Sequence, residues 1–362
     1  MNVKSTLQGL TIAALLMGSG PVAASDPTPA APENCRTEDA PQPTVTLAFG
    51  SRYKADSKSR SDIDPEGNAE VTNALKPIDD FIRIIASEAN KALEGDEPIW
   101  RADCIVSAMR GWADAGALED LQTFTAQLSV GSRIAGLALA YLQVRDLSDR
   151  EDDKLRIDLW LRRMTSAQVL FWEDGATPGA QKGNLRGWAT LGFASVGLAL
   201  DDRFLLTTAA QTADMLMCTA NPDGSLPQEM RRGKYALHYQ LHAIAPLVVT
   251  TALLRDADLA VEMPCADTLP RIVEFALSDL SDGARSQAYN GKVQSYFDGT
   301  ETFEQHEFAW LVAYAGLPVA QPDDLPLQHV PDGPYRNSKL GGDQNLLWSS
   351  GRFRRGGQVL QD

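Results

Sequence analysis

The sequence predicts an all-α protein, a series of antiparallel helical hairpins able to curl into an α/α toroid around a central cleft. Three observations predict it. From about residue 70 onward, apolar side chains recur at intervals of three and four, the period of one helix face. The links between these segments are short and carry Gly, Asp or Pro, as antiparallel helical neighbours require. Few segments alternate with period two. No repeat of fixed period runs through the chain, which argues against a TPR-like solenoid.

The first residues read as an export signal. One Lys precedes an apolar run from Leu7 to Met17, and Gly-Ser-Gly-Pro leads to the small-residue site Val22-Ala23-Ala24. That three-part layout, with a run too short to span a bilayer, predicts a signal peptide over 1–24 rather than a membrane anchor. No second apolar stretch approaches spanning length, so no membrane span is expected in the exported chain. Residues 25–45, rich in Pro, Ala, Asp and Thr, are expected to form an irregular arm. The main domain is expected over 46–345, with 346–362 as a tail; the Pro-, Gly- and Asp-rich stretch after about 320 should wrap the surface.

Thr44–Phe49 is the best short strand candidate. Ile78, Ile82, Ile85, Ala89 and Leu93 mark the buried face of a first helix. Helical segments follow around 103–117, 119–146, 153–171, 187–200, 203–219, 234–255 and 268–279. Asp201-Asp202 is placed to cap the helix that begins near Arg203, and Asn221-Pro222-Asp223-Gly224 reads as a turn.

The formal net charge of -15 argues against a nucleic-acid partner, because phosphate binding rewards a basic surface. An anionic ligand must then be held by local clusters: Arg52, Lys54, Lys58 and Arg60; Lys182 and Arg186; or Arg231, Arg232 and Lys234. Each cluster could equally be a solvated surface. Four cysteines in an exported chain suggest two disulfides with three possible pairings. The pairs nearest in sequence, Cys35–Cys104 and Cys218–Cys265, are favoured.

Arg231-Arg232-Gly233-Lys234-Tyr235-Ala236-Leu237-His238-Tyr239-Gln240-Leu241-His242 gathers cations, phenols and imidazoles at one helix start. Tyr235, Tyr239 and His242 are spaced four and three apart and share a helix face, with His238 near the same stripe. A Tyr normally titrates near pH 10, so it serves as a base only where a cation stabilises its phenolate. The bland alternative is a helix of half-buried aromatics with ordinary partners. His238 and His242 could also share a metal ion, but Tyr239 stands where a zinc protease motif has Glu, and no third ligand is local. No metal or organic cofactor is expected.

Gly183-Asn184-Leu185-Arg186-Gly187-Trp188 precedes a second apolar run. Asn184 could cap that helix, or donate its amide to a carboxylate with Arg186 beside it. Trp172 and Trp188 offer flat faces for a sugar. Glu173-Asp174 and Asp201-Asp202 could supply the paired carboxylates of a glycosidase.

These segments together resemble the periplasmic alginate lyases, the poly-β-D-mannuronate lyases of polysaccharide lyase family five. The likeness rests on Phe49-Gly-Ser-Arg52-Tyr53 with Arg60, on Trp112-Ala-Asp-Ala-Gly-Ala-Leu118, on Gly224-Ser-Leu-Pro-Gln-Glu229 through Ala236-Leu-His-Tyr239, and on Phe308-Ala-Trp-Leu311 and Lys339-Leu-Gly-Gly342. It spans roughly residues 45–345 in the same order. The resemblance implies an incomplete α/α toroid, a periplasmic location, and β-elimination on a 1,4-linked polyuronate. It implies that Asn184 and Tyr239 match the family's catalytic Asn and Tyr, and that Arg52 stands at a basic position of the cleft. Two positions depart: Leu185 stands where the family has His, and Tyr235 where it has Arg. On this reading Tyr239 is base and acid, Asn184 holds the carboxylate, and Arg186 partly replaces the missing His. His238, His242 or Tyr235 tunes Tyr239, and Arg52, Tyr53, Arg60, Trp188 and Arg232 help bind an anionic polysaccharide. A non-catalytic polyuronate-binding protein, or a glycoside hydrolase on the same helices, is the alternative.

Overall fold

The computed structural model describes residues 32–257, 263–319 and 325–349. The expected signal peptide (1–24), the start of the arm and the end of the tail (350–362) lie outside the described residues.

Among the described residues are thirteen helices: α1 (Pro65–Leu93), α2 (Pro98–Asp114), α3 (Phe124–Ser129), α4 (Gly131–Val144), α5 (Glu151–Leu170), α6 (Asn184–Leu200), α7 (Arg203–Cys218), α8 (Pro227–Met230), α9 (Ala236–Asp256), α10 (Leu269–Ser278), α11 (Ala284–Asn290), α12 (Leu311–Ala315) and α13 (Gln344–Ser349). Eight of them pair as the hairpins α1/α2, α4/α5, α6/α7 and α9/α10. The first member of each hairpin packs on the first member of the next, so α1, α4, α6 and α9 form an inner row with α2, α5, α7 and α10 outside. This is the α/α toroid expected from the periodicity.

Local chemistry fixes the ends of these helices. Asp64 caps α1 by accepting from Gly67 N, with Pro65 at the first helical position. Asp202 caps α7 by accepting from Phe204 N and Leu205 N. Gly224 closes the turn at φ +91, where a side chain would also run into the Arg271 carbonyl. Inner helices are buried nearly all round: every residue of α6 from Arg186 to Ala199 is buried. Gly131 lets α4 approach α6 closely, because a Cβ there would lie 2.7 Å from Ala189 Cα.

Several expectations need correction. The segment 119–146 is not one helix: β2 (Asp120–Leu121) pairs in parallel with β1 (Thr46–Leu47), Thr123 caps α3, and the chain restarts at Gly131 as α4. The tail does not simply wrap the surface. β3 (Arg336–Asn337) and β4 (Gly342–Asp343) form a small antiparallel pair, and the loop between them is buried against α1 and α4. Asn90 Nδ2 and Gln143 Nε2 both donate to Gly341 O, at 3.2 and 2.8 Å, and Asp343 N donates to Asn90 Oδ1 at 2.7 Å. The expected boundary at 345 falls inside α13. One further segment, Gly233–Arg255, is long and apolar enough to cross a membrane, contrary to the reading of the sequence; its window is 83% buried inside the fold as the core helix α9.

Disulfides join Cys35 to Cys104 and Cys218 to Cys265. The first ties the arm to α2 and the second ties the end of α7 to the turn before α10. With sequence separations of 69 and 47 residues, each is expected to contribute on the order of 3–4 kcal/mol by restricting the unfolded chain.

Candidate active site

The first two turns of α9 and the start of α6 meet at the inner surface of the toroid. Gly233–Tyr235 forms a 3-10 turn that leads into α9. One face then carries Tyr235, Tyr239 and His242, with the rings edge to face: 6.4 Å separates the centres of Tyr235 and Tyr239, and 6.2 Å those of Tyr239 and His242.

Tyr239 shares a hydrogen bond with the hydroxyl of Tyr53. Tyr53 comes from a tight loop, fixed by its bridge to Ile63 and by a bond from its N–H to Ser51 Oγ. Arg232 covers both phenols. Its guanidinium carbon lies 3.8 Å from the centre of the Tyr239 ring and 5.3 Å from that of Tyr53. Nη2 donates to Tyr53 Oη and to Arg60 O, each at 3.1 Å. Burial pushes the Tyr53 hydroxyl above its ordinary value more than the Arg232 and Arg52 charges pull it down. Tyr53 therefore keeps its proton and accepts from Arg232, which leaves its own O–H able to donate to the Tyr239 oxygen. Arg60 contributes its carbonyl here, while its guanidinium is exposed and donates to Ser51 Oγ. Arg52 donates to Asn68 Oδ1 at 3.1 Å.

Asn184 is buried as the first residue of α6, not as its cap, which is Gly183. Its backbone N–H donates to Glu229 Oε1 at 2.7 Å, its Nδ2 lies 2.9 Å from Glu229 Oε2, and its Oδ1 lies 3.1 Å from His242 Nδ1. Trp188 Nε1 donates to the same His242 nitrogen at 3.0 Å. Burial first, then the charges of His238, Lys339, Arg133 and Arg232, hold His242 well below its ordinary value. Burial pushes Glu229 up. Both groups are thus driven towards their neutral forms.

Arg186 is not in this cluster. Two residues beyond Asn184 it points about 200° round the helix. There its Nη2 donates to Thr212 Oγ1, and its guanidinium sits over Trp172 and Phe193. Its Nε and Nη1 are buried without a hydrogen-bond partner among the described residues, and burial lowers its pKa to about 10. The expected role beside Asn184 is corrected on this geometry. Two other expectations fall with it. Trp172 is buried in the core, where it donates to Gln168 Oε1, so it offers no face to a sugar. Glu173 and Asp174 are exposed in a π-helical turn, while Asp202 is occupied as the α7 cap.

On the other side of Tyr239, His238 Nδ1 lies 3.3 Å from Glu301 Oε1 and 3.8 Å from Glu307 Oε1. Tyr296 donates to Glu307 Oε1 at 2.5 Å, and Ser295 Oγ donates to Glu301. Burial opposes ionisation of Glu301, but His238, Ser295 and Lys234 together outweigh it and hold the carboxyl below its ordinary value. Beside the two histidines opens a cavity of about 660 Å³, lined among others by Trp188, Arg83, Lys91 and Lys339. Lys339 Nζ lies 3.6 Å from Asp79, whose carboxylate also accepts two bonds from Arg133. Burial and then the Arg133 charge lower Lys339 to about 8.

The alginate lyase family profile matches residues 36–285. The chain belongs to the alginate lyase family. An alginate lyase of Pseudomonas syringae pv. tomato is 25% identical over 322 residues, covering 87% of this chain and 83% of that protein. A polysaccharide lyase of Stenotrophomonas maltophilia is 29% identical over 309 residues, covering 82% and 86%. Among solved structures, alginate lyase A1-III from Sphingomonas species A1 aligns with a TM-score of 0.67 at 20% identity, covering 86% of each chain. A His-to-Ala variant of alginate lyase A1-III complexed with a tetrasaccharide aligns at 0.71 and 22%, with the same coverage. The protein is a polysaccharide lyase with the fold of this alginate lyase family.

The two departures from the family pattern look different in three dimensions. Leu185 removes an imidazole from α6, yet His242 brings one to Asn184 from α9. Tyr235 removes a guanidinium from α9, yet Arg232 lies against the Tyr239 ring. Sequence reasoning assigned no role to Glu229 or Lys339, although both lie in the segments that carry the resemblance. Arg133, Asp79, Tyr296, Glu301 and Glu307 gave no local signal, being far in sequence from the groups they touch.

Proposed function

We propose that this lyase cleaves a β-1,4-linked polyuronate containing mannuronate or glucuronate, with Tyr239 as both base and acid. The observation that carries the reading is the contact of Tyr239 with the Arg232 guanidinium and the Tyr53 hydroxyl. A cation on the ring and a donated hydrogen bond at the oxygen both favour a phenolate.

β-Elimination needs the C5 carboxylate neutralised, the C5 proton removed and O4 protonated as it leaves. In β-mannuronate and β-glucuronate the C5 hydrogen and O4 lie on the same ring face. The Tyr239 phenolate takes the C5 proton, the C5 electron pair forms the C4–C5 double bond, and the C4–O4 bond breaks. Tyr239 then passes its proton to O4. The Asn184 amide holds the C5 carboxylate beside neutral His242, so that charge moving onto it meets fixed donors. Arg52, Arg60 and Lys339 are assigned to flanking carboxylates, with Trp188 and Tyr235 shaping the cleft. His238, anchored by Glu301 and Glu307, orients the Tyr239 ring, against which its own ring lies edge-on at 4.9 Å. Export through residues 1–24 into the periplasm, and a lyase domain that begins near residue 46, belong to the same proposal.

The test is ultraviolet absorbance of the purified chain with poly-mannuronate, poly-guluronate and poly-glucuronate. The new double bond absorbs, so a rise on poly-mannuronate or poly-glucuronate is expected. A rise on poly-guluronate alone would contradict the same-face mechanism.

A further inference from the structure

Trp188, His242, Asn184 and Glu229 form one buried chain of polar contacts, and one end of it fixes the polarity of the rest. An indole N–H can only donate. His242 Nδ1, 3.0 Å from Trp188 Nε1, must therefore be bare and accepting. The Asn184 side-chain atom 3.1 Å from that same nitrogen must also donate, because an amide oxygen there would set one lone pair against another. The amide nitrogen thus belongs towards His242, sharing Nδ1 with Trp188 in a three-centre bond. Which end of an amide is nitrogen is decided by such a network. As placed in the structure, Asn184 Nδ2 lies 2.9 Å from Glu229 Oε2 and Oδ1 faces His242; the amide turned end for end sets its oxygen against Oε2 instead. Two acceptors at that separation need a proton between them, and Glu229 is the group able to carry it.

We propose that Glu229 is a positioning residue that works as a neutral carboxylic acid. Its Oε2–H donates to Asn184 Oδ1, its Oε1 accepts the Asn184 backbone N–H at 2.7 Å, and the amide N–H is turned to the cleft side. The proposal rests on the reading of Asn184 as the group that holds the substrate carboxylate. An amide nitrogen facing the cleft can hold an anion; an amide oxygen there would repel it. Glu229 is 1% exposed, and burial pushes it towards its neutral form. The charged and titratable groups facing it are Lys182, beside a small void it lines, Arg232 and His238 at the start of α9, and His242 beyond Asn184. Of these, Arg232 and then His238 favour ionisation by their charge, so activity is expected to fall at alkaline pH as Glu229 loses its proton.

Glu229→Gln in the full chain separates the charge states, because glutamine reproduces the donor and the acceptor of the neutral acid. We expect a melting temperature at or above wild type, kcat within about threefold and KM unchanged, and loss of the alkaline fall. A drop in kcat of about 10²-fold, the size of effect seen when a transition-state donor is removed, would overturn the proposal. So would failure of the variant to fold, since an isosteric neutral residue should fit a neutral site. Infrared difference spectra of wild type against Glu229→Gln decide the charge state without any activity. A protonated carboxyl stretch at neutral pH supports the proposal, and ionised carboxylate bands contradict it. If Asn184→Ala turns over as fast as wild type, the reading of Asn184 fails and the positioning role goes with it, while the infrared spectrum still accepts or rejects a neutral Glu229.

Discussion

The first two turns of α9 are flanked by two very different neighbours. On one side the loop around Tyr53, with Arg232, surrounds Tyr239 with a guanidinium and a second phenol. On the other, the segment from Ser295 to Glu307 surrounds His238 with two carboxylates and a half-buried tyrosine. Adjacent residues of one helix thus meet opposite electrostatic surroundings. Under the proposed mechanism the two sides divide the work: the cationic side favours a phenolate that takes a proton, and the acidic side anchors an imidazole as a support.

The comparison can be broken most directly at Arg232. Arg232→Met should lower kcat by about 10²–10³-fold, measured by initial rates at saturating polymer, and Arg232→Lys should restore little because an ammonium cannot stack as a guanidinium does. Tyr53→Phe removes the donated hydrogen bond but leaves the cation. A loss of about tenfold in kcat, the value of one hydrogen bond of about 1.4 kcal/mol, is expected, with the alkaline side of the rate profile shifted. On the acidic side, Glu301→Gln should cost only a few-fold, because Glu307 still holds His238. An effect as large as that of Arg232→Met would show that the two sides share the chemistry.

Arg186 sharpens the contrast further. It is an arginine as buried as a catalytic one could be, but it lies on the far side of α6. Arg186→Met should leave kcat within about twofold and leave stability unchanged or improved, since buried charges are often replaced by apolar groups without loss; thermal melts and initial rates check both. The smallest effect concerns pH. His242 is held below its ordinary 6.5, so only the unfolded chain takes up its proton just below that pH. The stability His242 provides is therefore full above pH 6.5 and is lost as pH falls towards its folded value. Melting temperature against pH should show a shallower acid slope for His242→Gln than for wild type.

The ring of helices was legible because its evidence is local. Ile78, Ile82, Ile85 and Ala89 mark a buried face, Asp202 caps α7, and Gly224 needs a positive φ. The same locality made the face of Tyr235, Tyr239 and His242 readable. What escaped was held by groups remote in sequence. The buried tail is pinned through the carbonyl of Gly341 and the N–H of Asp343 to Asn90 and Gln143, so no apolar pattern announces it. At the restart of the helix, Gly131 lies against Ala189 of α6, a contact that no local pattern shows. Arg186 was misread by taking sequence neighbours as neighbours in space, although a spacing of two on a helix separates side chains to opposite sides.

The account turns on Tyr239. Ultraviolet absorbance of Tyr239→Phe beside wild type, on whichever polymer wild type cleaves, measures whether the phenolic oxygen carries the proton. The account predicts a loss of about 10²–10⁴-fold in kcat, with KM and the melting curve unchanged. Turnover at the wild-type rate would contradict it.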